Sequence, residues 1–269
     1  MTFLNHIEKF RNKVAIVENN KSFTYKDLEE RSFEYCNKIQ RRSLVFLLAE
    51  NDLDTISFYL GLLKSKSVIV LLSHSISSVQ LKKLITAYKP NYILTSNKDF
   101  SFQDYKFFSK KNNYKIFLKK IHIKHNLGKD LAILMSTSGT TGSPKFVRLS
   151  YQNYKDNTGK IIKSLNINSK DSVMTTLPLN YTYGLSIINS YLSVGAKIFI
   201  NNNSIVSKNF WKYYQKYQPT SFYGVPFIYN LLSKFNYKNL FNKNLRFIAN
   251  AGGKLDDKIL KKNIEFSKN

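Results

Sequence analysis

The run VIVLLS, Val68 to Ser73, is apolar up to its last residue. A strand with one face in water alternates apolar and polar side chains, so an unbroken run of this kind needs cover on both faces. Strands covered twice belong to the interior of parallel sheets. Two further short runs, SLVFLLA (43–49) and YILTS (92–96), lie close by, with helical patterns between them. Leu28, Tyr35, Cys36 and Ile39 share one helical face, as do Ile56, Tyr59, Leu60 and Leu63, and then Leu81, Leu84, Ile85 and Tyr88. Thr24, three residues before Asp27, is placed to cap the first of these helices.

The alternation continues in the second half. A helix is predicted over 151–165 behind Ser150 as N-cap, then a strand in SVMTTLPL, a buried helix in GLSIINSYLSVG that stops at Gly195, and a strand in AKIFI. SFYGV reads as a strand, Pro226 stands at the favoured first position of a helix, and LRFIANAGG runs from strand into glycine turn. Residues 254–266 read as a last helix. Strands alternating with helices predict an α/β fold with largely parallel sheets. Residues 97–126, the stretch of lowest complexity, read as an irregular bridge between two lobes.

Composition excludes several classes. At 269 residues, 43% hydrophobic and 14% aromatic, the chain has what a sizeable core needs. No apolar run approaches bilayer length, so no transmembrane segment is expected. The start, MTFLNHIEKFRNK, lacks an apolar stretch ending in a small-residue cleavage site, and the lone Cys36 excludes an internal disulfide framework. Both fit a cytoplasmic protein. The net charge of +25 attracts anions in general, yet only six of the 42 cations are arginine, the usual reader of base edges. A solvated lysine coat accounts for this balance without specific nucleic-acid recognition. The best-placed candidates for an anion-facing surface are FSKKNNYKIFLKKIHIKH (108–125) and the aromatic-basic run NFWKYYQKYQ (209–218).

The chemistry is concentrated in STSGTTGSPK, Ser136 to Lys145. Gly139 and Gly142 admit backbone angles closed to other residues and let main-chain amides approach an anion. Ser138, Thr140 and Thr141 add hydroxyls, and Lys145 adds a positive charge behind Pro144. The lysine follows proline and leads into the extended FVRL, so the Walker arrangement, with its helix directly behind the lysine, is absent. Composition alone leaves open whether this is a phosphate clamp or a mobile turn between strands.

The string TSGTTGSPK resembles the phosphate loop of the adenylate-forming superfamily, which includes acyl-CoA synthetases, peptide-synthetase adenylation domains and luciferases. Other segments resemble that family in the same order: FTYKDLEERSFEYCNKI, the region from FYLGLLKSKSVIVLL to YILTS, TTLPLNYTYGLS with YLSVGAKIFI, QPTSFYGVPFIYNLL and LRFIANAGGKL. The likeness runs from about residue 22 to 257. It implies two lobes of largely parallel sheet flanked by helices, about 1–125 and 126–269, forming an incomplete N-terminal domain.

The resemblance also implies a reaction. A carboxylate attacks the α-phosphorus of ATP to give an acyl-adenylate and pyrophosphate, and a thiol (CoA or a carrier), amine or oxygen nucleophile then takes the acyl group. Thr137, Ser138, Gly139, Thr140, Thr141 and Gly142 are expected to hold the β- and γ-phosphates, with Lys145 balancing their charge. Tyr181, Ala251, Gly252 and Gly253 are expected beside the adenine and acyl group. Two residues depart from the family: Tyr181 stands where histidine is frequent, and Phe146 where glycine follows the lysine. Tyrosine donates a hydrogen bond but is no cation near pH 7.

The family's Mg²⁺-holding glutamate, its ribose-binding aspartate and its small lysine-bearing C-terminal domain have no counterpart in these residues. No catalytic residue and no metal ligand are therefore expected here, although the family uses Mg²⁺. Asp256 and Asp257 read as first-turn helix charges, and His122 with His125 makes no metal site. The expected activity is reduced to binding ATP or an adenylate, with the missing part on a separate chain. The alternative is a noncatalytic synthetase fragment that binds anionic partners.

Overall fold

The computed structural model describes residues 7–136, 145–234 and 241–261. A hairpin of β1 (Val14–Glu18) and β2 (Lys21–Thr24) leads into α1 (Tyr25–Cys36). Thr24 caps that helix as expected: its hydroxyl accepts from the Asp27 amide at 3.1 Å, and the Asp27 carboxylate accepts from the Thr24 amide at 2.7 Å. Then follow β3 (Leu44–Ala49), α2 (Leu53–Lys64), β4 (Val68–Ser73), α3 (Ser78–Tyr88) and β5 (Tyr92–Thr95). The next strands are β6 (Tyr105–Lys111), β7 (Tyr114–Lys119), β8 (Leu131–Ser136) and β9 (Phe146–Ser150).

Ser150 repeats the Thr24 device with Asn153 and starts α4 (Tyr151–Leu165). The rest of the chain gives β10 (Ser172–Met174), α5 (Thr182–Ser193), β11 (Lys197–Phe199), α6 (Lys208–Tyr217), β12 (Ser221–Gly224), α7 (Pro226–Ser233) and β13 (Phe247–Asn250). Asp256 accepts hydrogen bonds from the Lys258 and Ile259 amides, so it caps the helical turn at 257–261.

The strands form two mixed sheets, ordered β6-β7-β5-β3-β4-β8-β9 and β13-β12-β10-β11-β1-β2. In the first, β5, β3, β4 and β8 are parallel, and in the second β13 through β1 are parallel. VIVLLS is the central parallel strand its composition demanded. Val45, Leu47, Ile69 and Leu71 face a core shared by both sheets, α1, α2 and α5; Phe46, Leu48, Val70 and Leu72 face a second core under α3. Helices α2 and α5, buried nearly all round, lie between the sheets.

The sheets do not divide near residue 125. The N-terminal strand β1 pairs with β11, while β8 and β9 complete the seven-stranded sheet. Residues 97–126 are also not an irregular bridge. They contain the β6–β7 hairpin, which turns at Asn112 (φ 49°) and extends the sheet antiparallel to β5. Tyr105, Tyr114 and Ile116 are buried there beneath a lysine-rich exterior, which hid the strand pattern.

Candidate active site at the carboxyl ends of the strands

Ligands of parallel sheets bind beyond the carboxyl ends of the strands, where loops and exposed backbone groups converge. At that end of the six-stranded sheet, Gly224 of β12 lies in register with Asn250 of β13, and the Ala251 amide donates to the Gly224 carbonyl at 3.4 Å. Thr176, beyond β10, donates its hydroxyl to the Tyr223 carbonyl at 2.6 Å. Pro226 opens α7 directly behind this strand end.

The turn after β13 is shaped by Gly252, whose φ of +85° lies in the left-handed region. A Cβ on Gly252 would stand 2.8 Å from the Tyr181 hydroxyl and 3.4 Å from Val225 Cγ1; one on Gly253 would stand 3.3 Å from Pro226 Cγ. Tyr181 reaches this turn as the residue that opens α5, with its amide bonded to the Pro178 carbonyl at 3.0 Å. Tyr181, expected with Ala251, Gly252 and Gly253 beside the adenine and acyl group, thus meets Gly252 at this turn. Gly252 and Gly253 are both exposed.

Beneath them Tyr183 packs edge-on against Tyr223 at 6.0 Å, and Tyr223 against Tyr191 and Phe247. Burial pushes the Tyr191 hydroxyl up to about 12 and Tyr183 and Tyr223 higher still, so these rings are neutral walls at any physiological pH.

Thr137, Ser138, Gly139, Thr140, Thr141 and Gly142 lie outside the described residues. The strands on either side are described: β8 and β9 pair antiparallel, with Ser136 opposite Phe146. Lys145 is exposed at the start of β9. Phe146 packs its ring 5.0 Å from Tyr88, which gives the bulkier residue a place against α3. Among the described residues no group of three or more His, Cys, Asp or Glu side chains converges as a metal site, and no helix is long and apolar enough to cross a membrane. The run 209–218 belongs mostly to α6: Phe210 and Tyr214 are buried and Trp211 stacks on Phe222, while Lys208, Lys212 and Lys216 face outward.

Sequence reasoning missed a second polar group, at the carboxyl end of the other sheet, where Glu50, His74 and Ser96 follow β3, β4 and β5. The signal was present, since each apolar run ends in a polar residue. That the three ends lie side by side depends on strand order.

Two mixed sheets over shared buried helices are the fold of adenylation-domain N-terminal subdomains. One such subdomain is that of NpsA from Klebsiella oxytoca, to which this chain aligns with a TM-score of 0.77 and 16% identity, over 98% of this chain and 68% of that one. The fold is similar to O-succinylbenzoate coenzyme A synthetase from Bacillus subtilis in complex with AMP, with a TM-score of 0.77 and 17% identity, over 98% of this chain and 70% of that one. The chain belongs to the AMP-binding enzyme family, whose model matches residues 3–266. Among curated relatives, acyl-CoA synthetase ALT10 of Alternaria alternata is 33% identical over 129 residues, 47% of this chain and 22% of that protein. The long-chain-fatty-acid–CoA ligase of Bacillus subtilis (strain 168) is 24% identical over 275 residues, 82% of this chain and 49% of the ligase. The match thus spans no more than about half the length of either relative.

Proposed function

We propose that these residues form the nucleotide- and acid-binding part of an acyl-adenylate-forming ligase of the acyl-CoA synthetase kind. The observation that carries the reading is the Tyr181–Gly252 contact, which sets a hydroxyl donor beside exposed glycine backbone at the carboxyl ends of parallel strands. In this reading the turn 251–253 and Tyr181 flank the adenine and acyl group. Thr137, Ser138, Gly139, Thr140, Thr141 and Gly142, with Lys145, hold the β- and γ-phosphates. Positioning and charge balance are the main contributions a protein makes to displacement at phosphorus. The acid's carboxylate oxygen attacks the α-phosphorus and pyrophosphate leaves; a CoA or carrier thiol is the acceptor that follows. Mg²⁺ accompanies ATP in this chemistry, and the described residues supply no grouping of ligands for it. In this reading the part played by these residues is binding of ATP or the adenylate.

Calorimetry with ATP on the wild type and Lys145→Ala tests the phosphate assignment: heat of binding is expected for the first and a marked loss for the second. Equal heats reject it. Pyrophosphate release with a panel of carboxylic acids tests whether binding extends to turnover.

The lysine face of α6 favours a second reading, a module that contacts anionic partners. Attraction to DNA or anionic vesicles that persists at physiological ionic strength supports it, and attraction that vanishes there leaves nonspecific charge alone.

A further inference from the structure

Strands β6 and β7 form one margin of the seven-stranded sheet, within a stretch from Tyr105 to His125 that holds seven lysines and neither Asp nor Glu. Register fixes which of its side chains share a face. Tyr114 and Ile116 enter the core between the sheets, so Lys115 and Phe117 lie on the opposite face. On that face Phe107 stands opposite Phe117, and Lys110 opposite Lys115. Phe107 packs edge-on against Phe117 at 6.5 Å, yet it remains 59% exposed. Two residues beyond β7, Ile121 is 78% exposed, with the exposed Lys120 and Lys124 close by in the chain.

Lys111 and Lys119 are paired with Glu34 and Asp104. Among the described residues Lys110 and Lys115 form no ion pair, although like charges directly opposite one another destabilise a strand pair. Lysine on an edge strand keeps other strands from pairing with it, but that role gives no reason for an exposed phenylalanine beside it. The margin therefore combines uncompensated positive charge with apolar side chains left in water.

We propose that this margin docks on a membrane surface containing anionic lipid, with Lys110 and Lys115 against the phosphate headgroups and Phe107 and Ile121 in the boundary beneath them. Anionic headgroups offset the repulsion between the two lysines. The long lysine stem keeps its ammonium among the headgroups while apolar neighbours go deeper. A nucleic acid fits less well. Residues 97–129 contain no arginine, the usual partner of phosphate pairs and base edges, and Ile121 has no ring for a base to stack on. The proposal rests on neither the nucleotide assignment nor the lysine face of α6.

Co-sedimentation of the whole chain with phosphatidylcholine vesicles, with and without phosphatidylglycerol, tests it at physiological ionic strength. Binding is expected only with phosphatidylglycerol present. Lys110→Glu with Lys115→Glu should weaken it about tenfold or more. That double variant keeps a like-charge pair, so its melting temperature should match wild type. Lys155→Glu with Lys160→Glu, the same charge change on the exposed face of α4, should leave binding within about twofold. Phe107→Ser should weaken binding several-fold. Ile121→Trp reads insertion without removing a contact: the added tryptophan's emission should shift to shorter wavelength on the same vesicles. No binding to phosphatidylglycerol vesicles, an equal loss in the two double variants, or an unshifted emission overturns the proposal. So does tighter binding to a DNA duplex that Lys110→Glu with Lys115→Glu abolishes.

Discussion

The Tyr181 hydroxyl stands where a side chain on Gly252 would begin, 2.8 Å from the Cβ position. Gly252 is therefore confined twice, by its φ of +85° and by the ring beside it. Gly252→Ala is expected to cost about 1–3 kcal/mol in urea denaturation, from the left-handed backbone and the contact together. Adding Tyr181→Ala should not make the loss additive, since the contact part disappears while the backbone part stays. Wild-type stability in Gly252→Ala contradicts the turn geometry.

Gly61 marks the closest approach of α1 and α2. A Cβ there would stand 2.4 Å from the Ser32 carbonyl and 2.6 Å from Cys36 Sγ. Gly61→Ala should destabilise by about 1–3 kcal/mol through overpacking, although alanine is the better helix former. Cys36→Ala in the same chain relieves the sulfur contact but not the carbonyl, so partial recovery is expected. The buried Cys36 thiol, held protonated by burial, should react with thiol reagents only on unfolding.

Arg246 clamps the amino ends of three neighbouring strands. Its Nε and Nη2 donate to the two oxygens of buried Asp171 at 2.9 and 2.8 Å, and the Thr220 hydroxyl joins the same carboxylate at 3.0 Å. Arg246→Ala leaves that carboxylate short of its main partner and should cost about 3 kcal/mol. Arg246→Lys should recover little, because an ammonium does not reproduce the two-pronged geometry. Melting temperatures of the two variants decide this.

Asp52 caps α2, accepting from the Thr55 amide at 2.6 Å, yet burial foremost raises its carboxyl from 3.8 to about 7. Between those values the folded chain keeps a proton that the unfolded chain has lost. Stability from this group therefore falls as pH rises from about 4 to 7 and levels off above. Asp52→Asn preserves a good cap without the charge, so its stability relative to wild type should improve across that window by about 2–4 kcal/mol. A difference independent of pH refutes the raised pKa.

Much of the chain was legible because its signals are local. The capping pairs Thr24–Asp27 and Ser150–Asn153 act over three residues, and the two-face cover of β4 is written in its own six side chains. Tyr181 and the 251–253 turn were named through a family resemblance, and the loop 137–142 with Lys145 likewise. The hairpin at 105–119 was not legible, since lysines occupy its outer face and its buried Tyr105, Tyr114 and Ile116 are too widely spaced to stand out. Sequence alone determined which segments are strands covered twice and where several helices begin, because period and capping depend on near neighbours. Tertiary structure decided that β1 joins the sheet of the last strands, that Tyr181 meets Gly252, and that Glu50, His74 and Ser96 meet at neighbouring strand ends. Strand order sets those meetings, and it follows from packing between residues far apart in the chain.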